Sequence, residues 1–172
     1  QLTDQEKGRG VVIASTGNFG QGVAHAGGVF GVDVVVVVPE GTTPDKCASM
    51  ERLGAKLVFH GSEYDEARAH SEVLSREEGY TYIHGANEPR LTEGTGTYTL
   101  EILEDQPDVD VIIVPLGGGS GASGTCVVAK AVNPDVEVIA VQSEDAPGAY
   151  LSWKNGKIVE APMKTTAEGL AT

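Results

Sequence analysis

Ala14-Ser15-Thr16-Gly17-Asn18-Phe19-Gly20-Gln21 follows directly on the apolar run Val11-Val12-Ile13. A strand that leaves through small polar residues and enters a helix almost at once exposes several backbone N–H groups where the helix dipole is positive. Such a turn suits an anion. Apolar, β-branched runs recur outward from it at 11–14, 34–38, 56–59, 81–83, 111–114 and 136–141, separated by segments of helical length. Runs without strict alternation are what strands buried on both faces look like, and strands alternating with helices build parallel sheets. The expected fold class is therefore α/β, with open, mostly parallel sheets and flanking helices.

The helix signals agree with that class. Thr43-Pro44 reads as an N-cap and first helical residue, with Cys47 and Met50 on one face and Gly54 as the stop. The segment after Asn18 has Val23, Ala24, Ala26 and Phe30 among glycines and no formal charge before Asp33, so a closely packed, buried helix is expected. Residues 63–78 are laced with Glu, Asp and Arg, the pattern of a solvated surface helix. A further helix is expected over 92–105, closed by Pro107-Asp108, with Leu100, Ile102 and Leu103 as its apolar residues.

The chain has 172 residues, with 25 acidic and 12 basic side chains and a formal net charge of −13. That length suits one ordinary domain, or a small domain with part of another. Negative charge spread along the chain repels nucleic acid and anionic lipid, so neither is expected as a partner. No apolar run approaches the roughly 20 residues of a membrane span. The opening QLTDQEKGRG carries no signal-peptide core, so a cytoplasmic protein is expected. It also lacks an initiator Met and runs straight into a strand, as though cut from something longer. Cys47 and Cys126 lie far apart without C-x-x-C spacing, which predicts two reduced, partly buried thiols and no zinc site or disulfide framework.

A second glycine-rich turn, Pro115-Leu116-Gly117-Gly118-Gly119-Ser120-Gly121, follows the run at 111–114. Consecutive glycines permit positive φ and close backbone approach, and a helix expected from about Ala122 adds its positive end. That is either a phosphate cradle or a tight structural turn. A P-loop would need a Lys after the glycines, and none follows. The spacing Gly117-x-Gly119-x-x-Ala122 is compatible with a dinucleotide fingerprint, but the next strand ends Val141-Gln142-Ser143, where a ribose-binding carboxylate would be needed.

Together these pieces resemble the pyridoxal-phosphate enzymes of the tryptophan synthase β fold (fold type II), most closely the serine/threonine dehydratase and serine racemase branch. SerThrGlyAsnPheGlyGlnGly at 15–22 resembles that branch's S-[SA]-G-N-H-x-Q-[GA] loop. Residues 37–58 resemble its next strand and helix, 93–115 its G-Q-G-T helix and following strand, 115–124 its tetraglycine phosphate loop, and 165–172 its T-[IL]-A-[DE]-G-[LV] segment. The resemblance runs over essentially the whole chain in order. It implies a small α/β domain at 9–90 and part of a large cofactor-binding domain at 1–8 and 91–172. It implies pyridoxal 5′-phosphate as cofactor, a small amino acid as substrate, and a homo-oligomer.

Carried over by position, Ser15, Thr16, Gly17 and Asn18 would bind the substrate α-carboxylate through N–H and hydroxyl groups, with Asn18 also meeting the pyridoxal 3′-oxygen. Gly117, Gly118, Gly119, Ser120 and Gly121 would take the cofactor phosphate. A substrate carboxylate fixed relative to an anchored cofactor is what orients the Cα–H bond. Phe19 stands where the branch has His, Ser120 where it has a fourth glycine, and Thr95 where it has the Gln of G-Q-G-T. Thr16 stands where the racemase branch has a second-face Ser, so elimination is expected over racemisation. Gln142 replaces a metal-binding Glu, so no metal is expected.

The branch's Schiff-base lysine lies in S-x-K-x-R-G upstream of the Asn loop. Only Lys7 precedes Asn18 here, in DQEKGRG, which is not that motif, so the catalytic residue is unknown from this chain. Ser152-Trp153-Lys154 satisfies S-x-K, but it follows the glycine loop, lacks the Arg and matches a surface region. The chain thus reads as the middle of a threonine/serine ammonia-lyase (dehydratase) that converts its substrate to a 2-oxo acid and ammonia, inactive without the lysine segment. Two alternatives are a catalytically dead small-molecule or partner-binding module and a racemase-like parent. His25, His60, His70 and His84 show no ligand spacing. Glu144, Asp145 and Glu168 read as surface carboxylates, with Glu168 inside the A-[DE]-G segment.

Overall fold

The computed structural model describes residues 2–170, the side chain of Glu168 excepted. It comprises two compact units, Gln1–Gly85 and Ala86–Thr172. In the first, α1 (Asp4–Arg9), β1 (Val11–Ala14), α2 (Asn18–Phe30), β2 (Val34–Val38), α3 (Pro44–Arg52), β3 (Lys56–Phe59), α4 (Tyr64–Glu78) and β4 (Thr81–Tyr82) follow one another. The four strands form one parallel sheet in the order β3-β2-β1-β4, with Val11 opposite both Val34 and Thr81 and Val35 opposite Lys56. The alternation of strand and helix in the sequence is the cause, because a parallel neighbour is reached only through a crossover.

Every residue of β1 and β2 is buried. Val11, Ile13, Val34, Val36 and Val38 pack on one side of the sheet with Ala24, Cys47 and Met50 from α2 and α3. Val12, Ala14, Val35 and Val37 pack on the other with Ala67 from α4. Unbroken valine runs suit these central strands because both of their faces meet a helix layer. Burial pushes the Cys47 thiol above its ordinary range, with the nearby Glu51 carboxylate adding to the effect. Cys126, expected to be partly buried, is exposed.

Two local readings are corrected. The polar opening is not a plain lead into β1: it folds as α1, capped by Thr3 Oγ1 on the Glu6 N–H at 3.3 Å and by the Glu6 carboxylate on the Thr3 N–H at 2.6 Å. Thr3-x-x-Glu6 is a capping box, a signal present in the sequence. The α2 helix is also less buried than its composition suggested. Only Gly20, Ala24 and Gly27 form its buried stripe, while Val29 and Phe30 are 63% and 72% exposed. Small residues three and four apart let the helix lie close to β2, and the larger side chains are left on its outer face.

The second unit contains α5 (Pro89–Asp105), β5 (Val111–Pro115), α6 (Ser120–Val132), β6 (Glu137–Val141), α7 (Gly148–Asn155) and a 3-10 turn at Glu168–Leu170. Its two strands pair in parallel, from Val111 opposite Glu137 to Pro115 opposite Val141. The α5 helix starts ahead of the expected residue 92 because Glu88 accepts the Arg90 N–H at 3.1 Å and Pro89 supplies the first turn. Ile112 packs with Leu103, Ala129 and Val136 on one face of the sheet. The expectation of strands buried on both faces does not hold here, since Val111, Ile113, Ile139 and Val141 are exposed. Among the described residues no helix is long and apolar enough to cross a membrane.

Candidate functional site

The turn between β1 and α2 owes its shape to Ser15. The Ser15 N–H continues the sheet by donating to Val37 O at 3.2 Å, and the side chain is buried. Its Oγ accepts the N–H of Gly20 at 2.8 Å and of Gly17 at 3.2 Å. Ser15 therefore caps the helix from outside it, satisfying two of the four N–H groups that a helix start leaves unpaired. Ser15 was expected to hold an anion with its N–H and hydroxyl; the N–H is engaged within the protein, while the hydroxyl oxygen accepts two N–H groups and its own proton has no acceptor among the described residues. The N–H groups of Thr16, Asn18 and Phe19 have no acceptor among the described residues. Asn18 is exposed, and Thr16 and Gly17 are half-buried, so an anion arriving from solvent can reach this turn. Phe19, in place of the expected His, packs on Gly85, where an added Cβ would lie 3.5 Å from its ring.

Ser15→Ala removes the acceptor of a buried N–H and is expected to cost about 1–3 kcal/mol. Chemical denaturation of the purified chain measures it, and Ser15→Thr should retain most of the cap.

The second turn leaves β5 at Pro115 and reaches α6 at Ser120, earlier than the expected Ala122. Gly119 caps α6 with φ +91°, a left-handed conformation that disfavours any side chain. The first bond of the helix is Ser123 N–H to Gly119 O at 2.8 Å. The N–H groups of Gly117, Gly118, Gly119, Ser120, Gly121 and Ala122 consequently have no acceptor among the described residues. A Cβ on Gly117 would come within 2.7 Å of Gly169 O, so the terminal turn lies against the loop. A run of free N–H groups ending on the start of a 13-residue helix fits a phosphate group.

Behind this loop stands a set of hydroxyls that sequence reasoning missed. Thr95 Oγ1 donates to Ser120 O at 3.0 Å and approaches Thr92 O at 3.2 Å. Tyr98 Oη donates to Gly121 O at 3.1 Å and lies 2.6 Å from Thr125 Oγ1, which accepts from Thr99 Oγ1 at 3.1 Å. Thr99 and Thr125 are fully buried. The signal was available, because Thr95, Tyr98 and Thr99 share one face of a helix at i, i+3 and i+4.

Most of the remaining candidates have partners of their own. Lys7 pairs with Asp4 at 3.1 Å within α1, and Lys154 Nζ lies 3.4 Å from Tyr150 Oη. His60 and His70 stack at 3.9 Å, and among the described residues no group of three or more His, Cys, Asp or Glu could hold a metal ion. Gln142 Oε1 accepts the Tyr150 N–H at 2.9 Å, so this side chain caps α7. Asp145 contributes its carbonyl to Lys164 N–H at 2.8 Å, and Glu144 is exposed. The Glu168 side chain and residues 171–172 of the terminal segment lie outside the described residues.

Known proteins with this pattern are consistent in kind. The family described as "Pyridoxal-phosphate dependent enzyme" matches residues 1–172. L-threonine ammonia-lyase of Thermotoga maritima is 40% identical over 171 residues, which are 99% of this chain and 43% of that protein. Among solved structures, the processed form of threonine deaminase isoform 2 from Solanum lycopersicum superposes with a TM-score of 0.93 at 32% identity, covering 100% of this chain and 50% of that one. Maize serine racemase does so with a TM-score of 0.94 at 31% identity, covering 99% and 52%. The chain thus spans about half the length, or less, of the proteins it matches.

Proposed function

Because the chain belongs to the pyridoxal-phosphate dependent enzyme family, we propose that it serves a threonine/serine ammonia-lyase, forming a 2-oxo acid and ammonia by β-elimination. The observation that carries this reading is the pair of strand-to-helix turns with free N–H groups, in a chain 40% identical to an L-threonine ammonia-lyase. Gly117, Gly118, Gly119, Ser120 and Gly121 hold the cofactor phosphate through backbone N–H groups, which carry no proton that could be lost near neutral pH. Thr16, Gly17 and Asn18 hold the substrate carboxylate by the N–H groups of Thr16 and Asn18, by the Thr16 hydroxyl, and by the Asn18 amide. Ser15 acts one step back, fixing the turn so that those donors point outward. Bound pyridoxal phosphate would supply the electron sink that makes the Cα–H bond labile. In this reading residues 9–90 belong to the small domain, and 1–8 with 91–172 to the cofactor domain.

Elimination is preferred to racemisation because Thr16 occupies the place of the racemase branch's serine. A β-branched hydroxyl has fewer rotamers in which to deliver a proton. No lysine of this chain is assigned the proton-transfer role.

A chimera tests the proposal. This chain replaces the matching 171 residues of the Thermotoga maritima relative, and release of 2-oxo acid is followed from threonine and from serine, with D-serine measured in parallel. Oxo acid from threonine is expected. A folded chimera that binds pyridoxal phosphate yet releases none from either amino acid would sink the proposal, and D-serine as main product would replace it with racemisation.

A further inference from the structure

We propose that Thr95, Tyr98, Thr99 and Thr125 tune the anion affinity of the glycine-rich loop by orienting and polarising the first peptides of α6, an inference resting on the phosphate reading of that loop. The hydrogen bonds have one consistent direction. Thr99 donates to Thr125 Oγ1, and Tyr98 donates to Gly121 O. Each hydroxyl has a single proton, so the short 2.6 Å contact is Thr125 donating to Tyr98 Oη. The chain runs Thr99, Thr125, Tyr98, Gly121 O, each donor strengthened by the bond it accepts. Thr95 adds a separate donor on Ser120 O.

Those two carbonyls belong to chosen peptides. The Ser120 carbonyl is conjugated with the Gly121 N–H and the Gly121 carbonyl with the Ala122 N–H, because the amide is one resonant unit. Drawing electron density onto the carbonyl oxygen makes the N–H across the same peptide a stronger donor. Gly121 and Ala122 are two of the loop's free N–H groups. Tyr98 has an uneven environment that suits this role. The residue is 40% exposed, yet its hydroxyl is bonded to the α6 backbone and to the buried Thr125. The hydroxyl is the part of Tyr98 that bonds the loop's peptides. These side chains are positioning residues, working through the backbone.

The test uses the full chain and inorganic phosphate, with amide resonances of Gly117 to Ala122 followed in wild type, Tyr98→Phe, Thr95→Val and Thr95→Ser. Loss of the donor should weaken phosphate binding about tenfold in Tyr98→Phe and Thr95→Val. The free variants should show the Gly121 or Ala122 amide proton moved upfield, and Thr95→Ser should return both readouts to wild type. Tyr98→Phe keeps the ring and removes only the hydroxyl, and it keeps the test open if Thr95→Val does not fold. Wild-type affinity together with unmoved Gly121 and Ala122 resonances in folded Tyr98→Phe would overturn the proposal. Wild-type amides that ignore phosphate would overturn the phosphate reading beneath it, a failure visible before any substitution is made.

Discussion

Ile13→Ala is expected to destabilise the first unit by about 2–5 kcal/mol, the range for truncating a fully enclosed aliphatic side chain. Ile13 is completely buried in the centre of β1, with Val36 opposite it on β2. It belongs to the cluster that includes Ala24, Cys47 and Met50. Strands on both sides of β1 and helices above it leave little room to collapse into the cavity, which puts the cost toward the upper end. Urea denaturation followed by circular dichroism measures it. A loss under about 1 kcal/mol would show that the sheet centre is looser than the burial indicates. The same substitution lies just upstream of Ser15, so the anion-binding turn should lose order as β1 does.

Gly124→Ala is expected to cost about 3 kcal/mol and to open the contact between α5 and α6. An added methyl would lie 2.6 Å from Thr95 Oγ1, 2.7 Å from Gly96 N and 2.8 Å from Thr92 O. Two of those atoms are backbone and cannot turn aside, so the helices must separate, which is the overpacking case at its upper range. Separation also draws Thr95 away from Ser120 O. Thermal unfolding should report the loss in stability, and hydrogen exchange at Gly121 and Ala122 should rise with it. A stable Gly124→Ala chain with unchanged exchange would mean that the two helices tolerate a wider spacing.

Much of the fold was legible because it rests on local patterns. Val34–Val38 and Lys56–Phe59 match the runs residue for residue, and for the five valines the reason is that an unbroken β-branched run between turn residues has few other stable uses. The turns after β1 and β5 were legible for a related reason: glycine and small polar residues between a strand and a helix leave N–H groups free wherever the chain sits. Thr3-x-x-Glu6 was equally local and was passed over, so the information for α1 was present in the sequence.

The amino-acid sequence by itself determined the α/β class, the alternation of elements, and the two turns whose glycines leave backbone donors exposed. Only the tertiary structure decided which donors remain free. Ser15 uses its N–H on Val37 and its Oγ on Gly17 and Gly20, leaving Thr16, Asn18 and Phe19 to face outward. It also decided that hydroxyls on α5 reach Ser120 O and Gly121 O, residues more than twenty positions away in the chain. Periodicity records which face of an element is apolar, but a hydrogen bond depends on distances of a few tenths of an ångström between elements remote in sequence. Those distances exist only after packing has brought α5 against α6 and β1 against β2.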